Sequence, residues 1–330
     1  MPESRFLQAF TGTNKTVPVW FMRQAGRYLP EYRTIKAKYS LEKMFQTPEL
    51  AAQITCLPID ILNVDAAILF ADILTLPSAM GADVRFDNTG PKIKIRNFSK
   101  LHDFDDLPHI AQTIALVNRQ LPQDVPLIGF AGGPFTVLTY LIEGGGSGDF
   151  SKTFQMAYSQ PKFFSQLLKL LTKNTIAYLR LQKEAGIKAF QIFDTWAGIL
   201  GNSEYKNWVL PYLQDIFKAV NLPSIYFCRN SSHLISILND CNADFLSVDQ
   251  TVTIGKTLAQ QTPKGIQGNF FNGLLYAKNS VVEKAVLKIL NNAQAHQRFI
   301  FNLNHGVFPD VSVEKLKLIV KIVHQFKWKK

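Results

Sequence analysis

The chain has 330 residues, of which 47% are hydrophobic, and its 36 Lys and Arg residues against 25 Asp and Glu residues give a formal net charge of +11. Its size and apolar content are ample for a full hydrophobic core, in one large α/β domain or two smaller ones. The positive charge would suit nucleic acid, an anionic membrane or an acidic substrate. Nucleic acid is the weakest of these hypotheses, because the charge is spread along the chain up to a short basic tail at Lys327–Lys330, with no zinc-finger spacing, arginine-rich arm or RNP-like motif.

The chain has three cysteines, Cys56, Cys228 and Cys241, at scattered positions. An odd and scattered set argues against a disulfide framework and for a reducing compartment. The N-terminal residues lack the layout of a signal peptide, and no apolar run reaches the length of about 20 residues that spans a bilayer. We therefore expect a cytoplasmic protein without membrane contact.

The first part of the chain predicts buried strands separated by helical sequence. Val17–Met22 is an apolar run typical of a buried strand, and Tyr32–Asn63 is predicted to be helical. Ala66–Phe70 is a second continuous apolar run, of the kind found in strands buried on both faces. Residues 84–97 alternate in polarity and turn through Asn88-Thr89-Gly90, which predicts an inserted β-hairpin.

The rest of the chain alternates strand-like and helical sequence. The predicted strands are Pro126–Phe130, Ala189–Phe193, Ser224–Cys228, Phe245–Val248, Gly265–Gly268 and Phe299–Leu303. Helices are predicted at 110–121, at 161–185 with apolar positions 164, 167, 168, 171 and 179 on one side, near 281–293, and at Val313–Phe326. Ser280 and Glu283 have the spacing of a capping box for the third of these helices.

These elements give eight strand candidates, each followed by helical sequence. That number of strand–helix units indicates an α/β fold, a parallel (β/α)8 barrel that carries the inserted hairpin; a doubly wound open sheet is the alternative. Because no linker-like segment divides the chain, residues 1–330 are predicted to form a single domain. In a barrel of this kind the chemistry lies at the carboxyl ends of the strands.

The first predicted strand runs into a polar segment, Arg23-Gln24-Ala25-Gly26-Arg27, which cannot continue into a core. Arginine forks bind carboxylates bidentately and stay charged, and the small Ala-Gly pair lets the backbone approach a ligand. The segment therefore predicts a recognition loop for an anionic, carboxylate-rich small molecule. The alternative is two solvated arginines in front of a helix.

Polar residues also follow five of the other predicted strands. They are Asp72, Tyr140, Asp194, Thr195, Asn269, Asn304 and His305. Each has an ordinary structural explanation as well: Asp72 and Thr195 could be helix caps, and Tyr140 and His305 could be core residues with satisfied hydrogen bonds. Their occurrence at the same end of several strands favours a shared pocket.

The motifs of several other site classes are missing. Gly144–Gly146 is not followed by the Gly-Lys-Ser/Thr of a nucleotide P-loop and is better explained as a flexible lid. The chain has no nucleophile elbow, no dinucleotide-binding glycine fingerprint and no paired zinc ligands. The residues thus predict a cofactor-free pocket that contains arginines, one acid and a tyrosine.

Four segments resemble those of the uroporphyrinogen decarboxylase family, and they occur in the family's order. PVWFMRQAGRYLPEYR, from Pro18, resembles its N-terminal signature, and GFAGGPFT, from Gly129 and continuing to YLIEGGGS, resembles its second signature. DAAILFADIL, from Asp65, is similar to the segment with the catalytic acid, and NLNHG, from Asn302, to the C-terminal histidine segment. The similarity covers nearly the whole chain.

The resemblance implies a (β/α)8 barrel, typically homodimeric, that removes four acetate carboxyl groups from uroporphyrinogen III as CO2 and gives coproporphyrinogen III without a cofactor. It implies that Asp72 accepts hydrogen bonds from the pyrrole N–H groups, and that Arg23 and Arg27 hold substrate carboxylates, with Arg23 near the scissile acetate as an acid or an anion anchor. The other implied substrate contacts come from the backbone of Gln24, Ala25 and Gly26, from the side chains of Tyr140, Thr195 and His305, and from Phe193 against the macrocycle.

Several positions depart from the family's pattern and suggest a diverged member. Lys36 stands where another arginine is usual, which keeps the charge and loses the fork. Leu57 and Gln250 replace a usual Gln and a usual Trp, and Asn269-Phe270-Phe271-Asn272 replaces a usual Gly-Asn-x-Asp-Pro run.

Two other hypotheses stay open at the level of sequence. A zinc-dependent methyltransferase on the same barrel would need His-x-Cys and a distant Cys as ligands, an arrangement that Cys228 and Cys241 lack. A non-enzymatic binder of anions or nucleic acid would rest only on the net charge of +11.

Overall fold

Parallel β-strands form the centre of this computed structural model, which describes residues 4–87, 90–95, 97–296 and 298–328. Within those ranges, seven strands pair in chain order as one parallel sheet, with Ala67 opposite Leu127 at the start and Ile266 opposite Phe299 at the end. Most strand residues are buried, because helices cover the sheet, and this explains the continuous apolar runs. The strands are Ala67–Ile68, Leu127–Gly132, Ala189–Asp194, Ser224–Cys228, Phe245–Ser247, Gly265–Phe270 and Phe299–Leu303.

The segment predicted as the first strand, Val17–Met22, closes the sheet into a barrel. On one side the Phe301 N–H donates to the Pro18 carbonyl at 2.9 Å, and on the other the Asp65 N–H donates to the Val19 carbonyl at 2.8 Å. The predicted (β/α)8 barrel is therefore confirmed. At this eighth strand position of the barrel, Val17–Met22 forms a single bridge, between Val19 and Phe301. Its pairing is reduced because the Val19 N–H donates to Oδ2 of Asp65, at 2.8 Å, rather than to a neighbouring strand.

The Asp65 carboxylate also contacts both ends of the described chain. Its Oδ1 accepts a hydrogen bond from Arg5 at 3.1 Å, and its Oδ2 lies 2.9 Å from Nε2 of His324. Arg5 belongs to the helix Arg5–Thr11 and His324 to the helix Val313–Gln325. The first and last helices thus meet at the seam where the barrel closes.

Helices surround the barrel, most of them between successive strands. Their bounds are Arg5–Thr11, Pro30–Lys36, Leu41–Gln46, Pro48–Leu62, Thr75–Ala79, Pro108–Gln120, Pro134–Glu143, Ser151–Ser159, Pro161–Ala185, Asn202–Trp208, Leu210–Ala219, Ile235–Leu238, Lys256–Gln261, Asn279–Ala293 and Val313–Gln325. The helix predicted at 161–185 has those bounds, and its five predicted apolar positions are buried. The helices predicted at 110–121 and at the C-terminus are confirmed to within two residues.

The stretch Tyr32–Asn63, predicted as helical, contains parts of three helices, Pro30–Lys36, Leu41–Gln46 and Pro48–Leu62. Ser40 begins the second of them, since its Oγ accepts a hydrogen bond from the Lys43 N–H at 3.2 Å. Pro48 lies in the first turn of the third, where its missing N–H is not needed. Asn63 ends it in the left-handed conformation, with φ of 58°.

The capping box predicted at Ser280 and Glu283 is wrong. The helix begins at Asn279, after Lys278, so Ser280 already lies inside its first turn. Lys278 supplies no side-chain cap to this helix. The Asn279 side chain instead accepts a hydrogen bond from the Lys315 ammonium of the last helix, so a tertiary contact accompanies this helix start.

The inserted hairpin is present and packs on the glycine loop. Strands Asp83–Asp87 and Gly90–Lys94 are antiparallel, while the predicted turn residues Asn88 and Thr89 lie outside the described residues. The Ile93 N–H donates to the Gly144 carbonyl at 3.0 Å, and a Cβ on Gly145 would lie 2.8 Å from the Pro91 carbonyl oxygen. Close backbone approach therefore explains Gly144 and Gly145. The flexible lid predicted at Gly144–Gly146 stays a prediction.

Two further expectations concern membrane spans and a basic C-terminal tail. Among the described helices, none combines the length and apolar character of a membrane span. Of the predicted basic tail, Lys329 and Lys330 lie outside the described residues.

Candidate active site

A cavity of about 470 Å³ lies at the carboxyl ends of the barrel strands. This volume is within the ~300–1,000 Å³ of typical small-molecule sites. Much of its wall is aromatic, formed by Phe45, Phe70, Phe130, Tyr140, Phe193, Trp196 and Phe227. The ring of Phe193 stands at 90° to that of Phe130, with centroids 5.6 Å apart, and 5.9 Å from that of Phe227. Such a wall suits the apolar faces of aromatic rings.

Arg23 enters this cavity from the first barrel segment. Its backbone is left-handed, with φ of 59°, so the chain turns sharply at the point where the apolar run Val17–Met22 ends. Its side chain is exposed to the cavity and has no hydrogen-bond or ion-pair partner among the described residues. The guanidinium is therefore free to bind an anion.

Gln24 supports this turn. Its Oε1 accepts from the Phe21 N–H at 3.1 Å, and its Nε2 donates to the Ala66 carbonyl at 3.0 Å. Its own N–H already donates to the Phe21 carbonyl, and its carbonyl accepts from the Tyr28 hydroxyl. These bonds fix the loop. Gln24 lines the cavity, and the ligand contact expected of its backbone stays a prediction.

The remaining residues of the predicted loop divide between the cavity and the surface. Ala25 lines the cavity, as expected. Within the described structure, Gly26 and Arg27 are not part of the cavity wall, and Arg27 is exposed. The ligand contacts expected of Gly26 and Arg27 stay predictions.

Asp72 supplies the one carboxylate among the described residues of the cavity wall. Its Oδ1 accepts a hydrogen bond from the Leu74 N–H at 2.9 Å, but the following helix begins after Leu74, so Asp72 is not its N-cap. Burial raises the pKa of Asp72, against the lowering effects of the Leu74 hydrogen bond and of the Arg23 charge. Its Oδ2 has no partner in the described part of the chain, so it is available to donors of a ligand.

Three further predicted residues line the same cavity. Tyr140 is half-buried and packs on Trp196, with ring centroids 3.9 Å apart. Thr195 is half-buried, and the short helix after it begins beyond Trp196, so Thr195 is not a cap. Burial, together with the positive charges of Arg23 and Arg229, lowers the pKa of His305 to about 4. His305 is therefore a neutral hydrogen-bonding group near pH 7.

Asp194, Asn269 and Asn304, which also follow strands, lie outside the described cavity wall and serve the scaffold. Asp194 is buried and accepts from the Thr136 hydroxyl at 2.6 Å and the Tyr226 hydroxyl at 3.0 Å. The Asn269 side chain donates to backbone carbonyls. These contacts indicate a structural role for these residues rather than a role in the pocket.

Sequence reasoning did not single out several residues of the wall, among them Trp196, Phe227 and Arg229. Arg229 directly follows the predicted strand Ser224–Cys228, so the rule that identified Arg23 and Asp72 would have found it as well. Trp196 follows Thr195, and its aromatic ring carried no polar signal. Phe227 was counted only as a strand residue.

The described residues contain no group of three His, Cys, Asp or Glu side chains that could hold a metal ion. Cys228 and Cys241 are both buried, and burial raises the pKa of each thiol, which disfavours a thiolate ligand. The donor set required by the zinc methyltransferase hypothesis is therefore not assembled in this part of the chain.

Comparison with known proteins extends the motifs to the full chain. The family model described as uroporphyrinogen decarboxylase (URO-D) matches residues 1–326. The chain belongs to the uroporphyrinogen decarboxylase family. It is 40% identical to the uroporphyrinogen decarboxylase of Bacillus pumilus, over 97% of this chain and 95% of the relative, and 41% identical to that of Thermodesulfovibrio yellowstonii, over 98% of each. Family membership makes the chain a carboxy-lyase of haem and porphyrin biosynthesis.

Solved structures agree on the fold. A methyltransferase from Methanosarcina mazei superimposes with a TM-score of 0.84 at 19% identity, with 97% of each chain covered. A B12-independent methionine synthase from Shewanella superimposes with a TM-score of 0.62 at 11% identity, over 86% of this chain and 88% of the other. At such identities the likeness concerns the barrel alone, and the reaction follows from the uroporphyrinogen decarboxylase family.

Proposed function

We propose that this uroporphyrinogen decarboxylase family member acts on uroporphyrinogen III in the cavity that contains Asp72 and Arg23, and converts its four acetate side chains to methyl groups. One observation carries the proposal: a carboxylate with a free oxygen and an unpaired guanidinium face the same aromatic cavity. The substrate is a macrocycle of four pyrroles joined by methylene bridges, with four pyrrole N–H donors that can point toward one carboxylate and with eight carboxylates at its rim. Each part of the substrate thus has a matching group in the cavity.

The reaction needs an electron sink. When the bond between the acetate methylene and its carboxylate breaks, the electron pair can enter the pyrrole only if the ring has first been protonated. The methylene carbon then takes up a proton to become the methyl group, and the ring returns its own. Asp72 would stabilise the cationic ring, by about 4 kcal/mol for unit charges 4 Å apart at an effective dielectric constant near 20.

That electrostatic contribution is too small to act alone, since enzymes lower barriers by roughly 8–23 kcal/mol. Positioning of the macrocycle between the aromatic side chains, and the exclusion of water by them, would supply the rest. The pyrrole N–H groups would in turn act on Asp72, because hydrogen bonds to a carboxylate lower its pKa. Substrate binding would then maintain the charged form that burial disfavours.

Arg23 would hold a substrate carboxylate near the reacting acetate. Its guanidinium stays charged and is a poor proton donor at neutral pH, so an anion anchor fits its chemistry better than a general acid. Tyr140, Thr195 and neutral His305 would donate hydrogen bonds to other acidic side chains, and Phe193 would pack on the macrocycle. None of these roles needs a cofactor. We further propose that the chain is a single domain and works as a homodimer in the cytoplasm.

The test is product analysis with chemically reduced uroporphyrin III under anaerobic conditions. We expect CO2 release and a tetracarboxylate product carrying four methyl groups. Asp72→Asn should lose about a thousandfold in rate, the equivalent of about 4 kcal/mol, with an unchanged circular dichroism spectrum. Asp124→Asn, at an exposed residue before the strand Leu127–Gly132, is the matched control. Absence of turnover by the wild-type protein would refute the function, and a fully active Asp72→Asn variant would refute the mechanism.

A further inference from the structure

Arg229 is a second arginine of the cavity wall, and neither the sequence motifs nor the mechanism above uses it. It follows the strand Ser224–Cys228, and its side chain is exposed. Within the described residues its guanidinium has no hydrogen bond or ion pair with any carboxylate. A guanidinium held at a cavity without a counterion is available for an anionic ligand.

The backbone around Arg229 is fixed on both sides. A Cβ on Gly198 would lie 1.8 Å from the Arg229 carbonyl oxygen, so the two segments are in close contact. Asn230 is left-handed, with φ of 56°, and its N–H donates to the Asp249 carboxylate. The Ser231 hydroxyl donates to the Cys228 carbonyl at 2.9 Å. The base of the Arg229 side chain is therefore held in place, which reduces the entropy lost when the guanidinium binds a ligand.

The positions of Arg23 and Arg229 relative to His305 indicate that they share the site. The positive charges of both lower the pKa of His305, while the Asp249 carboxylate raises it. Among the described residues of the wall, these two arginines face one carboxylate, Asp72. The excess of positive charge matches a ligand that carries several carboxylates, and one arginine cannot bind two of them bidentately.

We propose that Arg229 is a second carboxylate anchor of the cavity, which binds a rim carboxylate of the macrocycle different from the one held by Arg23. This inference rests on the proposed function, because the ligand chemistry is that of the proposed substrate. Arg229 thereby takes a role for which the sequence offered Arg27, which does not lie in the described cavity wall.

The first experiment compares steady-state kinetics of Arg229→Gln with those of Arg119→Gln. Arg119 is an exposed residue of the helix Pro108–Gln120, so the two variants carry the same change in net charge. We expect Arg229→Gln to raise KM for uroporphyrinogen by about tenfold to a hundredfold, with a much smaller change in kcat. Arg229→Lys should give an intermediate KM, because it retains the charge and loses the fork.

The same kinetics with partly decarboxylated substrates identify the bound side chain. An equal rise in KM for the eight-, seven- and five-carboxylate substrates indicates a propionate, which survives the reaction. A rise that disappears as acetates are removed indicates an acetate. A KM of Arg229→Gln equal to that of Arg119→Gln, in a preparation whose wild type turns over, overturns the inference. Failure of the wild type itself would overturn the proposed function instead.

A second readout does not depend on turnover. In Arg229→Gln without substrate, the His305 pKa measured by NMR should rise from its low value, because one of the two cations facing it is gone. Arg229→Lys should leave it nearly unchanged. A His305 titration that is the same in the wild type and in Arg229→Gln would show that the guanidinium does not face the cavity, and would overturn the inference.

Discussion

A Cβ atom on Gly306 would lie 2.4 Å from Cδ of Arg23 and 2.8 Å from its Cγ. The glycine of the C-terminal motif thus leaves the space through which the Arg23 side chain reaches the cavity. The neighbouring His305 lines the same cavity, and the Val307 N–H donates to the Met22 carbonyl at 3.0 Å. The first and last motifs of the chain are therefore one structural unit around the guanidinium.

Gly306→Ala should displace Arg23 and reduce activity while the barrel still folds. The new methyl group meets the stem of Arg23 rather than its flexible tip, so the guanidinium cannot keep its position, and an error of about 1 Å can cost about a hundredfold in kcat/KM. Stability should fall by about 1–3 kcal/mol, as in other overpacked sites. Gly148→Ala is the control, because nothing lies within 4 Å of a Cβ there. Equal activity of the two variants would contradict the conclusion that the first and last motifs form one unit around Arg23.

The loop that carries His305 is held by Gln250 and Asn272, at two positions where the resemblance predicts other residue types. Asn304 donates to Oε1 of Gln250 at 2.6 Å and accepts from the Asn272 N–H at 2.7 Å. The Asn272 side chain donates to the Gly306 carbonyl at 2.9 Å. Gln250 and Asn272 thus provide a hydrogen-bonded support on either side of His305.

Gln250→Ala should therefore cost more free energy in transition-state binding than in folding. The substitution releases Asn304, which positions His305 without contacting the ligand. We expect about 1 kcal/mol of lost stability and a larger loss in transition-state binding. Gln250→Glu keeps an acceptor for Asn304 and should restore activity. A double-mutant cycle with Asn304→Ala should give a coupling energy of about 0.5–3 kcal/mol, and strict additivity would argue against the support.

Asp194 should make stability depend on pH in a direction opposite to that of an ordinary surface carboxyl. Burial raises its folded-state pKa to about 6, although the hydrogen bonds from Thr136 and Tyr226 lower it. An unfolded Asp titrates near 3.9. Between these values the folded protein keeps a proton that the unfolded chain has lost, so the free energy of unfolding falls as pH rises through this window, by on the order of 2–3 kcal/mol.

The measurement is urea unfolding of the wild type and Asp194→Asn from pH 4 to pH 7.5. Other carboxyls titrate in both proteins, so the informative quantity is the difference between the two free energies of unfolding. The free energy of unfolding of the wild type minus that of Asp194→Asn should fall as pH rises, and it should level off above pH 6. A difference that is constant across the range would mean that Asp194 ionises like a solvated carboxyl.

The rule that barrel chemistry follows the strands predicted much of the site, and its failures have a common physical cause. Asp194 and Thr195 are adjacent, yet Thr195 lines the cavity while Asp194 bonds to Thr136 and Tyr226. Successive side chains at a strand end point to opposite sides, so a pattern of residue types cannot tell which of two neighbours faces the ligand. Arg229 directly follows the strand Ser224–Cys228 and was within reach of the same rule.

The elements themselves were predictable where local sequence decides and less so where tertiary contacts do. The helix Pro161–Ala185 follows from its apolar stripe alone. Val17–Met22 is a strand by composition, but the carboxylate of Asp65 takes the Val19 N–H and reduces the pairing to one bridge. Lys278 likewise precedes the helix Asn279–Ala293 but supplies no side-chain cap to it. In these cases a partner distant in sequence replaces the local signal.

The seam at Asp65 links the first and last described helices to the segment that leads into the arginine loop. One carboxylate accepts from Val19, shortly before Arg23, while it also pairs with Arg5 and His324 in the first and last helices. A truncation that removes Val313–Gln325 would take away the imidazole beside the carboxylate that anchors the segment leading into the arginine loop. Proteolysis or a premature stop codon near the C-terminus would therefore damage ligand recognition as well as folding, although the lost residues lie far along the chain from the loop they support.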